Sequence, residues 1–586
     1  MVDIILVQIS TSYITWETRS NEPQLGQYYI AEYAHQHGYN LKIKKYSSND
    51  PIVNSLSSLL KDLECNCVGF YVDSENIWTI RRIIYDLKEN IPNLIAYLGG
   101  PQVTGNPQNA LKLVPDADFA MVGEGEITTT ELLDVKLDFK SPKIYGIAYI
   151  DENGEYHYSG NRLQSRNLDN YPYPIRERYT LDKDMKFMQI LTGRGCIGKC
   201  AFCFEGSKKN NILRMRSVCN VCEELEYLIS RLPANSYITF LDDTFIINPE
   251  RTRQICNWMI EKYNGEVKWF CEARVDILIK NLDLLPLMKK AGLIRIQLGG
   301  ESGSQKVLDT YNKGMKIEDL KTVVKGIYNA GIDSVYVNYI IGGAFETLET
   351  FNQTVELAKE LLEIAPGCAE VGCSIFTPYV GSPMYSEPQK YGLQIIDRDL
   401  VTGPDGYTPY ATTEELSAPK VMQLKNIFEN QVNDKSREII PTLSYECMKR
   451  HYELANKYSV ATFWHDRIEL IESLNRYFGA IFLPTFVSIK ALTLDTIQDA
   501  LPYRTEQPIS DGENYFRRIC GNETIKNTDF ENAVLLLSAG KLAFWEIVHI
   551  IGKNQKFKHI SNIETAVWEL YQQFDKEYMI VWKVIN

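Results

Sequence analysis

Histidine is scarce, with seven residues in 586, and none stands at ligand spacing from a cysteine, so a mixed Cys/His metal site has no support. Long runs of Lys or Arg are missing too, and the formal net charge of -13 repels a phosphate backbone. Nucleic acid is therefore not an expected partner. No stretch approaches the ~18 consecutive apolar residues of a membrane span, and the start, MVDIILVQIS, has neither a basic leader nor a long apolar segment. A cytoplasmic chain with no membrane partner is expected. Thirteen cysteines are too sparse and irregular for a disulfide framework, which points to reduced thiols that pack or bind metal. Internal repeats and low-complexity tracts do not occur.

What is present is alternation. The runs DIILVQ (3–8), LKIKKY (41–46), CVGFYV (67–72), LIAYLGG (94–100) and FAMVGEGE (119–126) read as buried strands, with helical spacing between several of them. They predict a Rossmann-like, doubly wound α/β domain over residues 1–135 with its own core. A hairpin around Glu152-Asn153-Gly154 and the proline-bearing connector DNYPYPIRERY fill residues 136–184. Six further strand candidates, beginning with FMQILTGR and ending with EVGCSIFTPY, predict a partial (β/α)6 barrel over 185–395, open at one side. Residues 396–586 read as mainly helical. They end in an α-α-α-β stretch from Phe530 to Val584, a winged-helix-like unit suited to peptide recognition.

Cys196, Cys200 and Cys203 fall at C-x3-C-x2-C directly after a strand candidate. Iron-sulfur clusters are normally held by four thiolates, so three leave one iron open to an outside ligand. Gly193, Gly195 and Gly198 supply the backbone freedom for a loop to wrap one cube. The alternatives are three packed thiols or a zinc site short of its fourth ligand. Elsewhere, Cys219-x2-Cys222 starts a helix with no second pair nearby and reads as packing. Cys368 and Cys373, five positions apart, fall on opposite faces if the stretch is extended, so one of them would face the barrel interior.

The cysteine motif with Phe202 inside it, Arg214, Arg216-Ser217, Asp242-Asp243, Arg274, the GGESGS run at 299–304, Lys313-Gly314, IIGGAFET at 340–347 and FTPYVGSP at 376–383 resemble the radical S-adenosylmethionine (SAM) superfamily over 185–395. The resemblance implies a 4Fe-4S cluster on the three cysteines, and SAM cleaved to a 5'-deoxyadenosyl radical that takes hydrogen from an unactivated C–H bond. It further implies SAM contacts from Phe202 and Ser302, from Glu301 at the ribose or amino end, from Arg274 at the carboxylate, and from the Gly342-Gly343 backbone at the adenine.

Upstream, the Glu22–Gly26 run, LGGPQVTG at 98–105 and MVGEGE at 121–126 resemble the cobalamin (B12)-binding-type domain that precedes many such barrels, with Gly99 and Gly100 as cofactor contacts. No Asp-x-His-x-x-Gly motif is present to supply a lower axial histidine, and a cofactor-free structural domain is the alternative. The two-domain order implies a C-methyltransferase that uses cobalamin on a peptide or natural-product precursor. The second reading is a cobalamin-free peptide epimerase, with Cys368 or Cys373 returning a hydrogen atom. The expected partners are a peptide or small-molecule substrate and a reducing flavodoxin or ferredoxin.

Overall fold

A computed structural model of the chain describes residues 2–10, 24–179, 187–204, 212–233, 236–399, 408–519 and 523–584. Glu22 and Pro23 of the expected 22–26 run lie outside these residues. The chain forms two compact units, Met1–Val432 and Asn433–Asn586.

The first unit opens with parallel strands Ile4–Ser10, Leu41–Ser47, Cys67–Tyr71, Ile95–Gly99 and Phe119–Met121, in the spatial order second, first, third, fourth, fifth. That reversal is the doubly wound pattern, and both faces are covered. Leu56, Ile80 and Ile84 from helices Ile52–Asp62 and Ile77–Asn90 pack into the core on one face. Tyr28 and Leu132 from helices Leu25–Gln36 and Gly125–Asp134 join the core on the other. The hairpin expected around Glu152-Asn153-Gly154 forms the edge of this sheet. Its strand Ile147–Ile150 pairs antiparallel with Phe119–Met121 and then with Tyr156–Tyr158, and its Ile147 is buried in the core.

The second sheet is wholly parallel: Phe187–Ile190, Tyr237–Phe240, Trp269–Ala273, Leu293–Glu301, Ser334–Ile341 and Ala369–Ile375, hydrogen-bonded in chain order. The first and last strands are its edges, so the six-stranded barrel is open between them, as expected. The unit continues past residue 395. Gln394–Ile395 pairs with Ala411–Thr412, and helix Ala418–Ile439 sets Phe428 against Tyr339 with ring centroids 5.8 Å apart.

In the second unit, helices Tyr445–Tyr458, Phe463–Glu469 and Glu472–Ile481 precede two three-stranded antiparallel sheets. The expected α-α-α-β ending is present as Asp529–Leu537, Phe544–Lys553, Ile563–Lys576 and Ile580–Lys583. That last strand is the centre of one sheet, between Phe486–Val487 and Leu501–Arg504, and its Trp582 is fully buried. The other sheet, Ile509–Ser510, Tyr515–Ile519 and Glu523–Lys526, has no apolar alternation to announce it. No helix among the described residues is long and apolar enough to cross a membrane.

Candidate active site

The loop after the first barrel strand carries Cys196, Cys200 and Cys203 to a cavity of about 520 Å³ at the carboxyl ends of the barrel strands. Cys200 is buried, and the other two are half-buried. Arg274, the residue after strand Trp269–Ala273, donates from Nη1 to Cys200 Sγ at 3.5 Å. The guanidinium is fixed from behind by both Asp276 carboxylate oxygens, at 3.0 and 3.1 Å, and by the Lys313 carbonyl at 2.8 Å. Burial opposes its charge, but Asp276 and Cys200 more than offset this and hold its pKa above the usual arginine range. Gly198 makes the approach possible, since a Cβ there would lie 2.3 Å from Arg274 Nη1.

Across the cavity, the register of strand Leu293–Glu301 slips between Gly299 and Glu301. Glu301 adopts φ +57°, a left-handed conformation uncommon outside glycine. Its carboxylate meets Lys313 Nζ at 2.5 Å. Burial disfavours the Lys313 charge, yet Glu301 outweighs that penalty and raises its pKa. The same ammonium lies 5.7 Å from the Phe202 ring centroid, and that ring meets Tyr311 edge-on at 5.3 Å. Deeper in the barrel the lining is polar. Gln297 donates to Glu272 at 3.1 Å, and Asn338 Oδ1 stands 3.4 Å from Ser374 Oγ. Sequence reading had not assigned Lys313, Asp243 or these four residues to a site; inward alternation along the strands was the signal that could have marked the four.

A second cavity, of about 510 Å³, lies at the carboxyl ends of the first sheet and reaches the barrel. Gly100, Gly123 and Glu124 line one side, and Gly193, Arg194, Gly195 and Arg214 the other. Asp243 lines both cavities, and Glu75 of the N-terminal domain lines the first. The two domains are tied here by ion pairs: Arg194 to Glu126 at 2.5 Å and to Glu124 at 3.3 Å, and Arg214 to Glu124 at 2.5 Å. No histidine is among the lining residues, in keeping with the missing axial-histidine motif.

Cys196, Cys200, Cys203, Phe202, Arg274 and Glu301 are thus brought to one cavity and Gly100 to the other. Six sequence candidates are not brought to either. Ser302 is fully buried, its hydroxyl 3.3 Å from Thr354 Oγ1 and accepting from the Ser304 N–H. Gly99 gives its carbonyl to the Val72 N–H at 2.7 Å. At Gly343 a Cβ would fall 1.8 Å from Tyr311 Oη, and at Gly342 2.8 Å from Val421 Cγ1, so both glycines make room for packing. Cys368 precedes the last strand, after Gly367 at φ +73°, and its thiol points to the Ile332 carbonyl at 3.2 Å. The stretch is therefore not extended throughout, and the alternation argument fails at its first residue. Cys373 shares the outward face with its neighbour Tyr339, toward Lys425 and Glu429, while Ser374 takes the cavity side. Burial pushes its thiol up to about 12.

The open parallel barrel thus carries three loop thiols at its mouth and is preceded by a doubly wound domain whose cavity adjoins it. The Radical SAM superfamily model matches residues 190–358, and the B12 binding domain model matches residues 13–133. An uncharacterized methyltransferase of Pyrococcus horikoshii is 28% identical over 372 residues, 62% of this chain and 78% of that protein. The anaerobic magnesium-protoporphyrin IX monomethyl ester cyclase of Rubrivivax gelatinosus is 26% identical over 381 residues, 63% of this chain and 67% of its own length. The structure of the radical SAM methyltransferase TsrM from Kitasatospora setae, with cobalamin and a 4Fe-4S cluster bound, superposes with a TM-score of 0.59 at 14% identity, over 81% of this chain and 99% of that one. The chain carries a radical SAM domain with a B12-binding domain ahead of it, the domain pair of an enzyme. Solved structures of this fold hold SAM, a 4Fe-4S cluster and cobalamin.

Proposed function

We propose that the protein installs a methyl group on an unactivated carbon of a peptide or natural-product precursor, using cobalamin. The observation that carries this reading is the wall shared by the two cavities. Asp243 lines both, and one loop feeds Gly193, Arg194, Gly195 and Phe204 to one cavity and the three thiols to the other. Methylation at carbon needs the methyl source to stand beside the carbon that loses hydrogen, and adjoining chambers meet that need. When bound, the cluster and SAM supply the hydrogen-abstracting radical and cobalamin the methyl group.

The chain's own residues then have distinct tasks. Cys196, Cys200 and Cys203 would hold the iron, and Arg274 braces the Cys200 sulfur. Glu301, fixed by Lys313, is set to accept hydrogen bonds from the polar end of SAM. Glu272, Gln297, Asn338 and Ser374 orient a substrate that carries hydrogen-bonding groups, and a flavodoxin or ferredoxin delivers the electron. The epimerase reading draws no support from Cys368 or Cys373, which face away from the cavity.

The test uses cluster- and cobalamin-loaded protein with a chemical reductant, SAM deuterated in its methyl group, and a peptide and metabolite extract as the substrate pool. A product carrying the intact labelled methyl, with S-adenosylhomocysteine and 5'-deoxyadenosine formed in equal amounts, is expected. Unlabelled product, or full turnover by protein stripped of cobalamin, would overturn the proposal.

A further inference from the structure

A second reactive constellation lies wholly in the Asn433–Asn586 unit. Cys447 is the third residue of helix Tyr445–Tyr458, and its backbone N–H donates to the capping Ser444 hydroxyl at 3.2 Å. One turn on, His451 presents Nε2 to the Cys447 sulfur at 3.8 Å. The other ring nitrogen, Nδ1, stands 2.9 Å from Thr462 Oγ1. That hydroxyl also accepts the His465 N–H at 3.0 Å as the cap of helix Phe463–Glu469. His451 and Thr462 are buried, whereas Cys447 is half-buried and reachable.

Two of the hydrogen arrangements open to the His451 ring place a donor toward the sulfur. The Thr462 hydroxyl has one hydrogen to give; when it goes to Nδ1 of the neutral ring, Nε2 bears the N–H that faces the sulfur. When the ring is protonated, Nδ1–H donates to Thr462 and Nε2–H again faces the sulfur. Both states offer a donor to a thiolate, and the first turn of the helix adds its positive dipole end. The charged and titratable neighbours on the packed elements are Glu446, Lys449 and Arg450 on the same helix, His465, Asp466 and Arg467 on Phe463–Glu469, and Glu472 and Arg476 on Glu472–Ile481. Of these, Arg450 pairs with Glu453, Arg476 with Glu472, and His465 with Asp466.

We propose that Cys447, His451 and Thr462 form an activated-thiol site that exchanges with low-molecular-weight disulfides. The Cys447 thiolate attacks one sulfur of the disulfide; a new S–S bond forms, the old one breaks, and the departing thiolate takes a proton from the His451 imidazolium. Cys447 sulfur is oxidised, the leaving sulfur is reduced, and the chain ends as a mixed disulfide. The site is a modification point of the C-terminal unit, independent of the cluster thiols.

Cys219 provides an internal standard. It is the more exposed thiol, and its sulfur faces Glu223 Oε1 at 3.3 Å, a carboxylate that raises its pKa. Cluster-loaded full-length protein is treated briefly with 4,4'-dithiodipyridine between pH 5 and 9, and modified peptides are quantified by mass. At pH 6 Cys447 should react about tenfold faster than Cys219, with a rate that persists toward acid pH. His451→Gln should remove that acid-side reactivity, Thr462→Val should lower it, and Thr462→Ser should preserve it. A Cys447 rate that rises only with alkaline pH and never exceeds that of Cys219 overturns the proposal. So does an unchanged profile in a His451→Gln variant of native circular dichroism; should that variant unfold, equal rates in the two Thr462 variants decide against it.

Discussion

Gly198→Ala isolates the contact that couples the cluster loop to the barrel. The φ of Gly198 lies outside the left-handed region, so alanine meets a neighbour here and not backbone strain. Its Cβ would stand 2.3 Å from Arg274 Nη1 and 3.1 Å from Cζ, which forces the guanidinium to withdraw. Asp276 and the Lys313 carbonyl pin that group from the other side, so withdrawal forfeits the Cys200 contact and strains at least one more. A hydrogen bond to a charged partner is worth ~1.5–3 kcal/mol, and losing one predicts cluster retention about ten- to a hundredfold weaker. The assay is iron content after reconstitution and graded chelator challenge, read beside reductive SAM cleavage and thermal unfolding of the metal-free protein. Arg274→Gln removes the clashing atoms, so adding Gly198→Ala to it should cost little more. Wild-type iron retention in Gly198→Ala, or an undiminished extra penalty on the Arg274→Gln background, would show that Arg274 does not organise the loop.

Replacing Cys196, Cys200 and Cys203 together by Ala should abolish iron binding and SAM cleavage while cobalamin absorbance is retained; surviving SAM cleavage would remove the central assignment. Burial lifts the Glu346 carboxyl to about 8, and its Oε1 has no hydrogen-bond partner. Because the folded value exceeds the unfolded one of about 4.3, stability is fully present below that pH and is lost as pH rises toward the folded value. Glu346→Gln does not titrate, so its melting temperature should gain on wild type between pH 5 and pH 8; a constant difference refutes the shift. Residues 1–162 should unfold cooperatively in urea at a higher midpoint than residues 1–135, which lack the buried Ile144 and Ile147, the strand beside Phe119–Met121, and Arg162 with its ion pair to Glu131. Each such isoleucine contributes ~1.5–3 kcal/mol, and equal midpoints would refute the assignment of the hairpin to this domain.

The strands of the two parallel sheets and the loop of three thiols were legible in the sequence because they depend on local spacing. Apolar runs such as Ile4, Ile5, Leu6 and Val7 in the first strand are what a sheet buried on both faces requires. Three thiols within eight residues reach one cavity wherever the rest of the chain goes. Residues whose meaning depends on distant partners were not legible. Gly342 and Gly343 carry no local mark to tell a ligand-facing glycine from one that admits Val421 or Tyr311. Cys368 follows the left-handed Gly367 and precedes the last strand, so the condition of an extended stretch, on which strand alternation rested, is not met there. The hairpin has the same sequence whether it lies in a connector or completes a sheet, and only the free edge of Phe119–Met121 decided that. Nothing near Asp243 reports that two cavities meet there, because that wall exists only once two α/β layers, joined through Arg194, Arg214, Glu124 and Glu126, bring their carboxyl-end loops together.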